Sequence, residues 1–215
     1  LWNWFQTGDV AQSTVADGKL QLKAVYEDGT YKTGAVTGKD KLDYETPFRV
    51  DCRASMSRRA TGFWCAIWTV PTTGYQDGEI DIMEAGDHYS DASFASTAQY
   101  TCHNQYTLNT PSKRYDGWRP GQDQPQSSKV TLDDPTGYHT YSVEVTDEAI
   151  TWYVDNVQVH KYANIRHSKS DIGYKYAAES FVNSAGNTVF PKANYFNNYT
   201  FIDHNYFAIF DIAVG

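Results

Sequence analysis

Side chains in this chain repeat with a period of two almost everywhere. Leu20, Leu22 and Ala24 alternate along Lys19 to Val25, after the turn Asp17-Gly18. Tyr141, Val143 and Val145 alternate within Tyr138 to Thr146. Ala149 to Val154 and Val157 to Tyr162 flank Asp155-Asn156, a pair that tolerates positive φ, so the segment reads as a β-hairpin. Phe48 to Met56, Gly62 to Val70, Phe94 to Thr101 and Tyr206 to Val214 add further strands. No segment sustains a helical period. Many strands with short turns and no helices predict an all-β fold, two antiparallel sheets packed as a sandwich. The 215 residues suit one domain with one core, and no linker or repeat divides them. His103 to Asp134 is polar and turn-rich and is expected to be a long loop, a length usually kept for function.

One strand breaks the rhythm. Gly78-Glu79-Ile80-Asp81-Ile82-Met83-Glu84-Ala85 sets three carboxylates among large apolar residues. Strict alternation puts Glu79 and Asp81 on one face but turns Glu84 to the other. A single β-bulge near Met83 restores the phase, so that all three acids share a face and Ile80 and Ile82 enter the core. Three carboxylates held together repel one another and raise at least one pKa. Folding alone offers no reason for this, whereas paired-carboxylate chemistry does.

Glycoside hydrolysis uses two carboxyls flanking the scissile bond, about 5–5.5 Å apart where configuration is retained. Glu79 and Glu84 are far apart along the backbone, so their side chains must lean together and the bulge must help. Asp81 between them is placed to hydrogen-bond the nucleophile and hold the pair's pKa values apart, leaving the nucleophile ionised and the acid/base protonated. Two plainer readings compete. An acidic sheet face can pair with Lys and Arg on neighbouring strands. Calcium also gathers carboxylates, although its loops favour Asp, Asn and Gly over an Ile-rich strand.

Charge and composition narrow the partners. A net charge of −8, without a run of Lys or Arg, argues against nucleic acid and weakly favours a neutral polymer. No apolar run reaches transmembrane length. Seventeen Tyr and six Trp exceed what one core needs, and fit either a wet cleft stacking on sugars or a Tyr-rich sandwich surface. Cys52, Cys65 and Cys102 allow one disulfide at most, with plain thiols the simpler reading, and show no zinc spacing. A secreted monomer whose signal peptide has been removed is expected, with no cofactor required and a structural calcium conceivable. Asn198-Tyr199-Thr200 is an N-glycosylation sequon, relevant in a eukaryotic host.

Gly78 to Glu84 resembles the signature of glycoside hydrolase family 16 in its bulged, laminarinase-like form. Gly62-Phe63-Trp64-Cys65-Ala66-Ile67-Trp68 is similar to that family's Gly-x-Trp-Pro-Ala-Phe-Trp segment, with Cys65 where Pro is usual. Tyr31 to Val36, Tyr138 to Asp155 and Asp203 to Gly215 resemble further family segments in the same order. The resemblance implies a jelly-roll sandwich with an open concave cleft and retaining, endo-acting cleavage of β-linked polysaccharide. It implies Glu79 as nucleophile, Asp81 as its assistant and Glu84 as acid/base. It gives Trp68 a sugar to stack on, with Trp64 a second candidate on the same strand face. For both tryptophans the alternative is core packing.

Two departures from the family bear on substrate. A Thr-x-His pattern usually follows the acid/base, but here Thr97-Ala98-Gln99 supplies Gln99, with His103 four residues on. Gln can hydrogen-bond but cannot titrate near neutrality. The sequence also stops at Gly215, where family members usually continue to a further strand, so either it is trimmed or the sheet closes another way, and a missing strand would leave a sheet edge exposed. Trp118, with Arg58, Arg59, Tyr115 and Arg119, offers loop contacts to a substrate. The leading expectation is hydrolysis of 1,3-β- or mixed 1,3-1,4-β-glucan. The alternatives are a red-algal galactan hydrolase, a transglycosylase, or a jelly roll that binds glycan without cutting it.

Overall fold

A computed structural model describes residues 9–56, 62–74, 78–86, 96–103, 118–119, 122–123, 127–146, 149–163, 181–182, 188–189, 201 and 204–214. Apart from one 3-10 turn at Val10–Gln12, the regular structure among these residues is all strand. Two hairpins come first, β1 (Ser13–Ala16) with β2 (Lys19–Leu22) and β3 (Ala24–Glu27) with β4 (Thr30–Thr33). Then come β5 (Ala35–Thr37), β6 (Phe48–Ser55), β7 (Phe63–Pro71), β8 (Glu79–Gly86) and β9 (Thr97–His103). Short β10 (Trp118–Arg119) and β11 (Gln122–Asp123) precede β12 (Ser127–Thr131). They are followed by β13 (Tyr138–Val145), β14 (Ala149–Val154), β15 (Val157–Ala163), β16 (Phe181–Val182), β17 (Thr188–Val189) and β18 (Tyr206–Val214).

Two antiparallel sheets carry the fold. The larger runs β12-β9-β8-β7-β18-β5 and the smaller β15-β14-β13-β6. They stack because each strand turns alternate apolar residues inward. Ile80, Met83, Tyr100 and Ile212 of the large sheet join one buried cluster with Tyr141, Val143, Ile150 and Trp152 of the small one. The hairpin turns follow their sequence cues. Asp17-Gly18, Asp28-Gly29 and Asp155-Asn156 all hold positive φ at both positions, the twist that two-residue hairpins require.

One expectation needs correction. The stretch from His103 to Asp134 is not one loop, since β10, β11 and β12 lie within it. β12 is an edge strand whose burial alternates weakly, with Val130 its one apolar anchor, so its sequence hardly differs from a loop. The strand β18 sits inside the large sheet between β7 and β5. All three cysteines are free thiols, and Cys65 and Cys102 are buried.

Candidate active site

The site grows from a pairing irregularity in β8. Against β7, Ile67 pairs with Met83 and Trp68 with Asp81, which leaves Ile82 without a partner there. Against β9, the register steps from Asp81↔Thr101 to Glu84↔Gln99, so Ile82 and Met83 together face Tyr100. This is a β-bulge at the expected place. Both bulge residues are buried with Ile80 and Ala85. The chain has absorbed its extra residue on the core side, and Glu79, Asp81 and Glu84 emerge together on the outer face.

Two groups hold the strand in this shape. Trp152, wholly buried on β14 of the opposite sheet, donates its indole N–H to the Asp81 carbonyl at 2.8 Å. A bulge disrupts the ladder, so this bond gives a main-chain acceptor a partner at the point of disruption. At the strand's start, Gly78 adopts φ 149°, and a Cβ there would meet the Phe201 and Tyr206 side chains at 3.0 Å. Only glycine fits both demands.

Around the acids, neighbouring strands supply partners. Trp64 donates its indole N–H to Glu84 Oε1 at 3.0 Å. Thr101 donates to Glu84 Oε2 over a long 3.5 Å, and Gln99 reaches Thr101 Oγ1 at 3.4 Å. His103 Nε2 lies 3.2 Å from Asp81 Oδ2, and in register it stands opposite Glu79. The two side chains expected around the acid/base therefore divide the work: Gln99 approaches Glu84 through Thr101, and His103 serves the Asp81 end. Trp68 turns elsewhere and donates its indole N–H to Asp211 Oδ1 at 2.9 Å. Trp118 lies on β10, and its side chain falls outside the described residues, as do Arg58, Arg59, Tyr115 and the Asn198-Tyr199-Thr200 sequon.

Electrostatics at the site run one way. Burial, and then the neighbouring Asp81 charge, push Glu79 up to about 8. Asp81, 2% exposed, is raised well above the usual carboxylate range by burial and then by Glu84. Burial also raises Glu84, against the Trp64 bond and the charge of His103. Burial thus holds Glu79, Asp81 and Glu84 all above the usual carboxylate range, and neighbouring buried carboxyls of this kind titrate together rather than singly.

Glu79, Asp81 and His103 bring ligand atoms within 4.8 Å of one another and form the one such group among the described residues. Two carboxylates and an imidazole do not make the oxygen cage that calcium takes.

Asp211, on β18, is the site residue that the sequence reading missed. An acid at 5% exposure in the run Phe-Ala-Ile-Phe-Asp-Ile-Ala was the available signal. Thr101 was legible too, by sharing the face of Gln99 and His103 at a period of two.

The model of the family "Glycosyl hydrolases family 16" matches residues 2–185. A glucan endo-1,3-beta-glucosidase A1 of Niallia circulans is 30% identical over 186 residues, covering 76% of this chain and 25% of that protein. The endo-1,3-1,4-beta-glycanase ExsH of Rhizobium meliloti is 29% identical over 98 residues, covering 46% of this chain and 17% of that protein. The chain thus spans a quarter or less of these two relatives. Among solved structures, a laminarinase from Flavobacterium sp. UMI-01 superposes with a TM-score of 0.67 at 16% identity, over all of this chain and 81% of that one. This last likeness bears on the fold, which is the jelly-roll sandwich.

Proposed function

The chain belongs to glycosyl hydrolases family 16, a family of glycosidases, and from that membership and the row of acids on β8 we propose that it is an endo-acting, retaining hydrolase of 1,3-β- or mixed 1,3-1,4-β-glucan. The observation that carries this reading is the division of the acids on one sheet face. Glu84 takes bonds from the Trp64 indole and Thr101, while Glu79 and Asp81 lie toward His103 on the same face. Two carboxyls in separate surroundings can take different roles, one giving a proton to the leaving group and the other attacking as a carboxylate. Paired-carboxylate hydrolysis requires both.

In the first step Glu84 gives its proton to the glycosidic oxygen and that bond to the anomeric carbon breaks. A Glu79 oxygen attacks the same carbon and forms a glycosyl ester. Glu79 is ionised when it attacks, and Asp81 beside it is placed to take the proton that Glu79 gives up. In the second step Glu84, now a carboxylate, takes a proton from water. The hydroxide oxygen bonds to the anomeric carbon and Glu79 leaves as carboxylate. Two inversions give net retention. A sugar hydroxyl in place of water gives transglycosylation by the same route. Trp68 offers an indole face for stacking on a ring beside the cut. The two curated relatives are named for 1,3- and 1,3-1,4-linked substrates, and a net charge of −8 suits a neutral polymer better than a sulfated one. A polymer too large to cross a membrane places the work outside the cell.

The test is reducing-sugar release from laminarin, lichenan, agarose and porphyran, with the anomer of the first product followed by NMR. Release from laminarin or lichenan, as the β-anomer, is expected. Release from the galactans alone would point to the red-algal reading, for which Gln99 in place of the usual His is the one favourable observation. Glycan binding without release from any of the four would leave a binding module.

A further inference from the structure

β7 carries two tryptophans on its outer face, each tied to a carboxylate on a different neighbouring strand. Trp64 bonds Glu84 of β8 on one side, and Trp68 bonds Asp211 of β18 on the other. Between the two lies Ala66, which pairs in register with Glu84 and with Asp211 alike. Glu84, Ala66 and Asp211 therefore form one row across three strands, with the outer two roughly 10 Å apart at the backbone. The middle member is a methyl group, which leaves the row open between two indole rings.

Asp211 is expensive where it stands. It is 5% exposed on a strand of apolar residues, and burial raises its pKa against the opposing effect of the Trp68 bond. Nothing in the sandwich core needs it, because its neighbours Phe210 and Ile212 face that core and it does not. What it touches is the indole nitrogen of Trp68. An indole has two side-chain torsions, and stacking on a sugar ring requires that both be fixed. A buried carboxylate on the N–H fixes the ring plane from behind and leaves its face available.

We propose that Asp211 is a positioning residue that locks the Trp68 indole as the wall of a sugar-binding subsite, with Ala66 as its floor. The inference rests on the β-glucanase reading above for the identity of the sugar, but the locking of the indole does not depend on it. Asp211 touches no reacting atom, but its charge also raises Asp81 and Glu84, so its loss is expected to weaken ground-state binding through Trp68 and, separately, to shift the pH profile of kcat with little change in kcat at its optimum pH.

The experiment is a double-mutant cycle on D211A and W68F, with D211N as the conservative variant. W68F keeps an aromatic ring but lacks the N–H. Against a soluble laminari-oligosaccharide, D211A and W68F are each expected to raise KM about tenfold with kcat changed by less than about threefold. The double variant is expected to be no worse than the weaker single one, since both remove the same bond. D211N keeps an oxygen acceptor and should regain most of the loss. Near-UV circular dichroism of the unliganded proteins reads the indole without any substrate: the band that W68F removes should also fade in D211A and return in D211N. Fully additive KM effects, or a D211A spectrum that keeps the Trp68 band, would overturn the proposal. A wild-type protein that cuts no glucan would overturn the β-glucanase reading instead, and the spectra would still decide on the indole.

Discussion

The outer faces of the two sheets treat their acids in opposite ways. On the small sheet, Asp51 lies 2.9 Å from the Arg49 guanidinium, and Asp155 contacts His139 at 2.7 Å. Both acids are held below their usual range, Asp51 by the neighbouring Ser142 hydroxyl and the Arg49 guanidinium and Asp155 by its bond to His139. On the large sheet, Glu79, Asp81, Glu84 and Asp211 are all raised, with burial the first cause each time. The basic side chain that stands beside them is the His103 imidazole, 3.2 Å from Asp81 Oδ2. The same residue types thus stabilise one face and burden the other. Such a burden is accepted where the ionisation states are used, which is the reason for placing the proposed site on the large sheet.

The sharpest way to break this contrast is E79Q. Loss of the nucleophile should lower turnover by about 10⁴-fold or more, measured as reducing-sugar release. Stability should move the other way. Glu79 is raised to about 8 from an ordinary 4.5, so the native state binds more protons than the unfolded chain between those values. The wild-type protein therefore loses stability as pH rises across that window and has lost all of this contribution above about pH 8. Gln carries no such liability. The Tm of E79Q should exceed that of wild type by about 5 °C or more near pH 9 and match it near pH 5. An E79Q protein less stable than wild type at the higher pH would mean that the large sheet carries no such burden.

Next in size is G78A. The substitution forces a side chain into φ 149° and against Phe201 and Tyr206, directly before Glu79. A cost of about 2–3 kcal/mol in stability and about 10²-fold in kcat is expected, by denaturant unfolding and steady-state kinetics. The W152F change comes after it. It keeps the buried ring but leaves the Asp81 carbonyl of the bulge without its 2.8 Å donor. A loss of about 1–3 kcal/mol and about tenfold in kcat, with KM little changed, would show that the small sheet helps to shape the acid strand across the core. Unchanged kcat would confine Trp152 to packing.

How far the site could be read in advance follows from the range of the interactions. The bulge was legible because it is local: three acids and two isoleucines within six residues admit one phase correction. The hairpin at Asp155-Asn156 was legible because positive φ is a property of the dipeptide itself. Asp211 was not, since its meaning depends on Trp68 on another strand, more than a hundred residues away in the chain. β12 was missed for a different reason. An edge strand buries so little that Ser-Ser-Lys-Val-Thr carries almost no alternation. The size of the burial effect was not legible either, because charge spacing predicts repulsion, while burial, the first cause of each shift here, is decided by packing from other strands.

The smallest effect belongs to the small sheet and tests the other side of the contrast. His139 Nδ1 contacts Asp155 at 2.7 Å and Nε2 meets the Asp134 carbonyl at 2.8 Å, tying the loop before β13 to the β14–β15 turn. The bond to Asp155 raises the His139 pKa, and the same bond lowers that of Asp155. The pair therefore stabilises the fold from the depressed Asp155 pKa up to the raised His139 pKa. It is lost as the carboxylate protonates below that window and as the imidazole deprotonates above it. Both groups are solvent-screened, so H139Q should lower Tm by no more than about 2 °C near pH 6 and by less near pH 9. Glucan hydrolysis by H139Q should match wild type, because no strand of the acid face depends on this latch. The sign of the Tm change, a gain for E79Q at high pH and a loss for H139Q near pH 6, is the signature that separates an acid held at a cost from one held for stability.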